Sequence, residues 1–216
     1  MSIRKTNFVS NEYYHIYNRG NSKQKIFHDK QDYEYFLRLL FLCNKDIKFK
    51  INFLEGDAYE MKQGNQIVCI GAYCLMPNHF HILITQIEDG GISKFMHKIT
   101  SGYSHYYNKK YERTGSLFEG KFKSQYIDND RYLKYIFSYI HLNIVKIIQK
   151  DWKEKGIQNN QKVTDFLKNY KYSSFQDYLG ISRKERVILN RKAFPDYFPT
   201  TKNFTKEIFD WLKIEL

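Results

Sequence analysis

The sequence predicts an α+β fold: a ferredoxin-like antiparallel sheet with helices on one face, plus a C-terminal extension. Three observations point there. Hydrophobic patterns of period two and period 3.6 alternate along the chain, in the order strand, helix, strand, strand, helix, extended basic segment, helix, tail. The connections between neighbouring extended runs are short enough for antiparallel pairing. The composition, 42% hydrophobic and 18% aromatic, is that of a chain with a real core and not of a disordered one. A length of 216 residues suits one domain with an extension. The division is placed between residues 1–150 and 151–216, the second part being partly helical and packed on the first.

Taken in order, residues 13–18 (YYHIYN) read as a short strand closed by the turn Arg19-Gly20-Asn21-Ser22. Residues 31–44 space Tyr33, Phe36, Leu37, Leu40 and Phe41 as a helix does, and Asp29 or Asp32 can cap its start. Residues 47–54 read as a strand, followed by the polar turn region GDAYEMKQGN. Gln66 to Met76 is strand-like, Met76-Pro77-Asn78 interrupts it, and HFHILITQ (His79 to Gln86) alternates again, giving a hairpin or one bulged strand. After Asp89-Gly90-Gly91, Ser93 is placed to cap a helix reaching about Asn108, with Ile92, Phe95, Met96, Ile99, Tyr103 and Tyr106 at three- and four-residue steps. Tyr111 to Ile127 holds two short extended runs around Glu119-Gly120, a basic hairpin with interleaved aromatics. Asp128 or Asp130 caps a helix from about Arg131 to Lys150. Residues 153–163 read as a loop, and the tail from Thr164 as helical fragments and loops.

Charge narrows the partners. Lys and Arg number 35 against 23 Asp and Glu, for a net charge of +12. Such an excess favours polyanions, nucleic acid above all, although a Lys-rich chain also arises from an AT-rich coding bias. The charge is dispersed, and no strongly basic amphipathic helix marks a membrane surface. No run of about 18 apolar residues exists, so a membrane-spanning helix is excluded. The N-terminus lacks an apolar signal core, and Cys43, Cys69 and Cys74 form no CxxC pair. A reduced, cytoplasmic setting is the expectation.

Two patterns carry chemistry. His79 and His81 are two apart on a strand, so both imidazoles project to one face with Phe80 opposite. They can hold a divalent cation if a third ligand comes from elsewhere, or be two ordinary hydrogen-bonded side chains. Tyr139 and Asn143 are four apart on a helix and share a face, with His141 off to one side. Tyr139 is then a phenol beside an amide, or a core aromatic in a chain of 19 Tyr. His15 on the first strand either faces the same point or is a hydrogen-bonded structural histidine. Arg19, Asn21, Arg113, Lys121 and Lys123 are candidate phosphate contacts, with Phe118 and Phe122 as stacking surfaces or core residues.

The run AYCLMPNHFHILI (Ala72 to Ile84) resembles the histidine–hydrophobic–histidine (HUH) segment of single-strand DNA transposases with one catalytic tyrosine. With YHIYNRGNSKQKIF, RTGSLFEGKFKS, YIHLNIVK and YSSFQDYLG in the same order, the chain is similar to REP-associated tyrosine transposases, a branch of the family that includes insertion-sequence transposases. The resemblance spans residues 13–180. It implies a catalytic domain over residues 1–150, His79, His81 and Asn143 as ligands of Mg²⁺ or Mn²⁺, and Tyr139 as the nucleophile. The family usually has proline after the asparagine; Ile144 stands there and is expected to let the helix continue.

The resemblance implies cleavage and rejoining of single-stranded or hairpin DNA through a 5′-phosphotyrosine, by a monomer or homodimer with no membrane partner. Rival readings are a hairpin-binding protein that no longer cuts and an HUH replication initiator or relaxase. The short chain without a helicase region weighs against the last.

Overall fold

The computed structural model of the chain describes residues 7–45, 58–61 and 64–210. Strand β1 (Tyr13–Arg19), helix α1 (Lys30–Leu42), strands β2 (Val68–Met76) and β3 (His79–Gln86), helix α2 (Gly91–Lys110) and strand β4 (Lys123–Ile127) form a β-α-β-β-α-β unit. The sheet runs β2-β3-β1-β4 with every neighbouring pair antiparallel. The α+β class and the ferredoxin-like sheet are as the sequence predicts. The strand expected at residues 47–54 lies outside the described residues.

The two-residue period divides the sheet's side chains between two cores. Tyr14, Ile16, Phe80, Ile82 and Ile84 pack with α1 and α2. Ala72, Cys74, Met76 and Leu83 pack with helix α3 (Asp130–Leu142) and with the C-terminal residues. Helices were expected on one face. Helices α1 and α2 occupy that face, while α3 and the C-terminal segment cover the other. The reason lies in β2, which is buried at every position, so an apolar strand of this kind needs cover on both sides.

Several element boundaries differ from expectation for local reasons. Helix α2 starts at Gly91, with Gly90 (φ 74°) as its cap in place of Ser93, because the Asp89-Gly90-Gly91 turn winds directly into it. The basic segment is not a hairpin. Phe118 bridges Gly20 and β4 pairs with β1, so both runs add to the first strand and not to each other. Helix α3 is capped by Asn129, whose side chain accepts from the Tyr132 amide at 2.8 Å, and not by Asp128 or Asp130. It ends at Leu142 and tightens into a 3₁₀ turn, Asn143–Ile147, despite the absence of proline; this turn buries Ile144 and Val145. Part of the expected 153–163 loop is helical, in α4 (Trp152–Lys155) and the start of α5 (Asn160–Asn169).

Residues of the YSSFQDYLG block extend the free edge of β2. The Leu75 amide donates to the Tyr172 carbonyl and the Ser174 amide to the Tyr73 carbonyl, each at 2.9 Å. Helix α6 (Phe175–Tyr178) follows, and its Asp177 binds Arg183, which also donates to the Tyr73 hydroxyl and the Ser173 carbonyl. A bulge at Gly71 brings the Phe194 ring so close that a Cβ there would lie 2.9 Å from it. The final helix, α7 (Thr201–Asp210), seals this core with Phe204 and Ile208. The three cysteines are buried and unpaired. Among the described residues no helix is long and apolar enough to cross a membrane.

One buried carboxylate ties α1 to α2. Asp29 and Asp32 form a capping box at the start of α1. Fully buried Asp32 also accepts from Lys110 Nζ at 2.7 Å, Tyr111 OH at 2.7 Å, Tyr106 OH at 3.0 Å and the His28 amide at 2.8 Å. Burial pushes its pKa up. The Lys110 ammonium, the His28 amide and the two phenols outweigh that and hold it below the usual carboxylate range. A carboxyl with a depressed folded pKa stabilises the fold above its unfolded value, and this contribution vanishes as the pH falls through the folded value. Asp32→Asn is therefore expected to lower stability at pH 7 by about 3 kcal/mol. The gap to the unsubstituted chain should narrow below about pH 4; guanidinium unfolding at neutral and acid pH measures both.

Candidate active site

Strand β3 sends Phe80 into the core beneath α1 and α2, where its ring lies 5.0 Å from that of Phe36. The same alternation sends His79 and His81 to the α3 side, with ring centroids 5.0 Å apart and planes at 87°. Helix α3 lays Tyr139 over them, its ring 5.5 Å from His81 and 5.7 Å from His15. One turn later Asn143 Nδ2 donates to His81 Nε2 at 2.6 Å. The four residues singled out in the sequence thus share one cleft of ≈ 260 Å³.

The hydrogen bonds around the two imidazoles fix their protons. Asn78 Nδ2 donates to the Lys23 carbonyl at 3.3 Å, which turns Asn78 Oδ1 towards His79 Nδ1 at 2.6 Å. An oxygen acceptor requires the proton on His79 Nδ1 and leaves the Nε2 lone pair available. Because His81 Nε2 accepts from Asn143, His81 carries its proton on Nδ1 as well and donates it to His15 Nε2 at 2.8 Å. Each histidine therefore has a partner on Nδ1; the Nε2 lone pair of His79 points into the cleft, while that of His81 accepts from Asn143. Burial lowers the pKa of His15 to about 4. Burial, then the Lys146 and Arg19 cations, does the same for His79. Both are neutral at pH 7.

The donor set fits a divalent cation on one further observation. Asn143 Oδ1 is buried and has no hydrogen-bond partner among the described residues. Among those residues no three His, Cys, Asp or Glu side chains are placed to hold a metal ion together. Tyr139 is held in its phenol form: burial raises its pKa, and the neighbouring Tyr135 and Tyr17 phenols add to this, while a hydrogen bond with Asn143 opposes it.

The other expected residues divide. Arg19 and Lys123 line the cleft, but Arg19 is ion-paired with Glu119 through its Nε and through Nη2 at 2.9 Å. Asn21 and Lys121 are exposed and not among the lining residues. Arg113 packs on the Tyr107 ring at 5.5 Å, at the end of α2 and away from the cleft. Phe118 is buried, Phe122 is half-buried against Phe8, and neither lines the cleft. Sequence reasoning missed Tyr17, Lys23, Asn78 and Lys146, all of which line the cleft. Two signals were legible: Tyr17 shares a strand face with His15, and Lys146 follows Asn143 within the same short block.

The tautomer is directly observable. Nitrogen-15 NMR of the chain should show His79 and His81 as neutral rings protonated on Nδ1. In Asn143→Ala, which removes the N–H that His81 Nε2 accepts, His81 should become a mixture of tautomers while His79 stays unchanged. A His81 ring protonated on Nε2 would contradict the hydrogen-bond chain.

Comparison with known proteins shows the family and the fold. The family model described as "Transposase IS200 like" matches residues 8–143, from just before β1 to Asn143. The solved structure of a REP-associated tyrosine transposase bound to a REP hairpin is similar in fold, with a TM-score of 0.54, 15% identity, and coverage of 86% of this chain and 90% of that one. No curated protein matches the chain. With its sheet, its HUH strand and its tyrosine helix inside the matched region, the chain belongs to the IS200-like transposase family.

Proposed function

We propose that the chain cleaves and rejoins single-stranded or hairpin DNA, with Tyr139 as nucleophile and a 5′-phosphotyrosine as intermediate. The observation that carries this reading is the meeting of Tyr139, His79, His81 and Asn143 in one cleft rimmed by Lys23, Lys123 and Lys146. The similar solved structure holds a REP hairpin, which supports folded single-stranded DNA as the substrate.

The chain's own groups divide the work. Lys23, Lys123 and Lys146 hold the strand by its phosphates, so binding weakens with salt as counterions are released. The Tyr139 phenolic oxygen attacks the scissile phosphorus. The bond from phosphorus to the 3′ oxygen breaks, and the phenolic proton ends on that oxygen as a free 3′-OH. Joining runs the step backwards: a 3′-OH attacks the phosphotyrosine and the phenol is restored. One phosphodiester-type bond replaces another at each stage, so no ATP is required. His79, His81 and Asn143 would hold Mg²⁺ or Mn²⁺ through two imidazole nitrogens and an amide oxygen. When bound, such a cation supplies Lewis-acid polarisation of the phosphate. The chain's contribution to that centre is the proton pattern set by Asn78 and Asn143, which puts both ring protons on Nδ1; the Asn143 N–H would give way to a cation as the partner of the His81 Nε2 lone pair.

Incubation with a hairpin oligonucleotide and Mn²⁺ is expected to give a covalent protein–DNA adduct that mass spectrometry places on Tyr139. Tyr139→Phe should give none, while binding the same hairpin within about threefold of the unsubstituted chain, since one hydroxyl is lost and the ring stays. An adduct on Tyr132 or Tyr135, or full nicking by Tyr139→Phe, would move the nucleophile. Tight binding with no adduct from the unsubstituted chain would favour the reading as a hairpin-binding protein.

A further inference from the structure

Helix α3 carries more aromatic surface than its nucleophile. Tyr132, Tyr135 and Tyr139 stand at i, i+3 and i+7, on one face of the helix. All three are half-exposed, whereas Leu133, Ile136, Phe137 and Ile140 on the other side are buried. The rings form a ladder. Tyr132 and Tyr135 are stacked, with centroids 6.0 Å apart and planes at 16°; Tyr135 and Tyr139 follow at 5.8 Å and 32°. Tyr17 faces the ladder from β1. Its phenol opposes ionisation of both Tyr132 and Tyr139, and its ring lies 5.9 Å from His81. Lys123 sits across from Tyr17 on the edge strand β4. The carboxylates at the far end of the helix are already engaged, Asp128 by Asn129 and Asp130 by Tyr197.

We infer that this ladder is a stacking track for unpaired bases of the DNA strand that leaves the phosphate held at Tyr139. The inference rests on the proposed cleavage of single-stranded or hairpin DNA and adds where the flanking strand lies. Seven residues of helix rise about 10.5 Å, the length of about three base steps at about 3.4 Å each. The track is continuous with the cleft, and Lys123 supplies positive charge beside it. Of the aromatics that the sequence offered for stacking, Phe118 is buried in the core and neither it nor half-buried Phe122 lines the cleft, whereas the α3 tyrosines stand beside the nucleophile. Every base has an aromatic face, so such a track binds a strand without reading its sequence.

The test uses the full chain in a Tyr139→Phe background, so that binding is measured without cleavage. The probe is a hairpin oligonucleotide with single-stranded flanks of about four nucleotides, compared by fluorescence anisotropy with the same hairpin carrying abasic flanks. Replacing Tyr132 and Tyr135 together by Leu is expected to weaken binding of the flanked hairpin about tenfold or more. Binding of the abasic-flank hairpin should not change, and Tyr132→Phe with Tyr135→Phe should restore the flanked affinity. Tyr132→Leu alone, at the most distant ring, should give part of the loss if the double variant folds poorly. Equal affinity for the flanked hairpin before and after the Leu substitutions, or an equal loss on both probes, would overturn the track and leave the proposed function standing. Failure of the unsubstituted ladder to bind either hairpin would overturn both.

Discussion

His141 is fully buried and hydrogen-bonded at both ring nitrogens. Nδ1 donates to the Phe137 carbonyl in its own helix at 2.8 Å, and Nε2 meets Ser174 Oγ at 2.7 Å on the segment that extends the edge of β2. Burial holds its pKa down to about 3, so the ring is neutral and its two bonds are those of a single tautomer. Ser174 Oγ also accepts from the Tyr73 amide at 2.9 Å, which ties the helix to the sheet through one side chain on each element. His141 is two residues from both Tyr139 and Asn143, about 200° round the helix from each. The face that anchors α3 is thus opposite the face that carries the candidate chemistry. A change in this docking would carry the phenol and the amide away from His79 and His81 together.

The second constraint is the alternation along β3. Phe80 and Ile82 fill one core while His79 and His81 stand on the other side, so the strand cannot slip by one residue without burying two imidazoles in place of two apolar side chains. Asn78 and His15 then fix the rings within that register. The aromatic wall of the cleft follows from the same pairing, because Tyr17 on β1 lies directly opposite His81 on β3.

Much of this was legible because it rests on short-range periodicity. The two-residue period of HFHILITQ and the i, i+4 relation of Tyr139 and Asn143 place each pair on one face whatever the rest of the fold does. The meeting of the two pairs was not contained in either period. It depends on non-local contacts, such as the Ser174 bridge to Tyr73, that leave no local pattern. The same limit explains the basic segment. Its Lys and aromatic residues alternate as a hairpin's would, but Leu117 and Phe118 find a better place in the core than against β4. Ile144 shows tertiary packing overriding a local rule: without proline the helix still leaves α geometry at Asn143, where Ile144 and Val145 are buried.

The claim on which the functional reading depends is that α3 and β3 build one centre from Tyr139, Asn143, His79 and His81. A crystal structure of the chain with Mn²⁺ tests it most directly, because manganese is located by its anomalous scattering independently of the protein coordinates. The expected result is one manganese ion within about 2.0–2.2 Å of nitrogen ligands from His79 and His81 and of the Asn143 amide oxygen, with the Tyr139 phenol facing it. An ion held by other residues, or no ion at this position at saturating Mn²⁺, would contradict it.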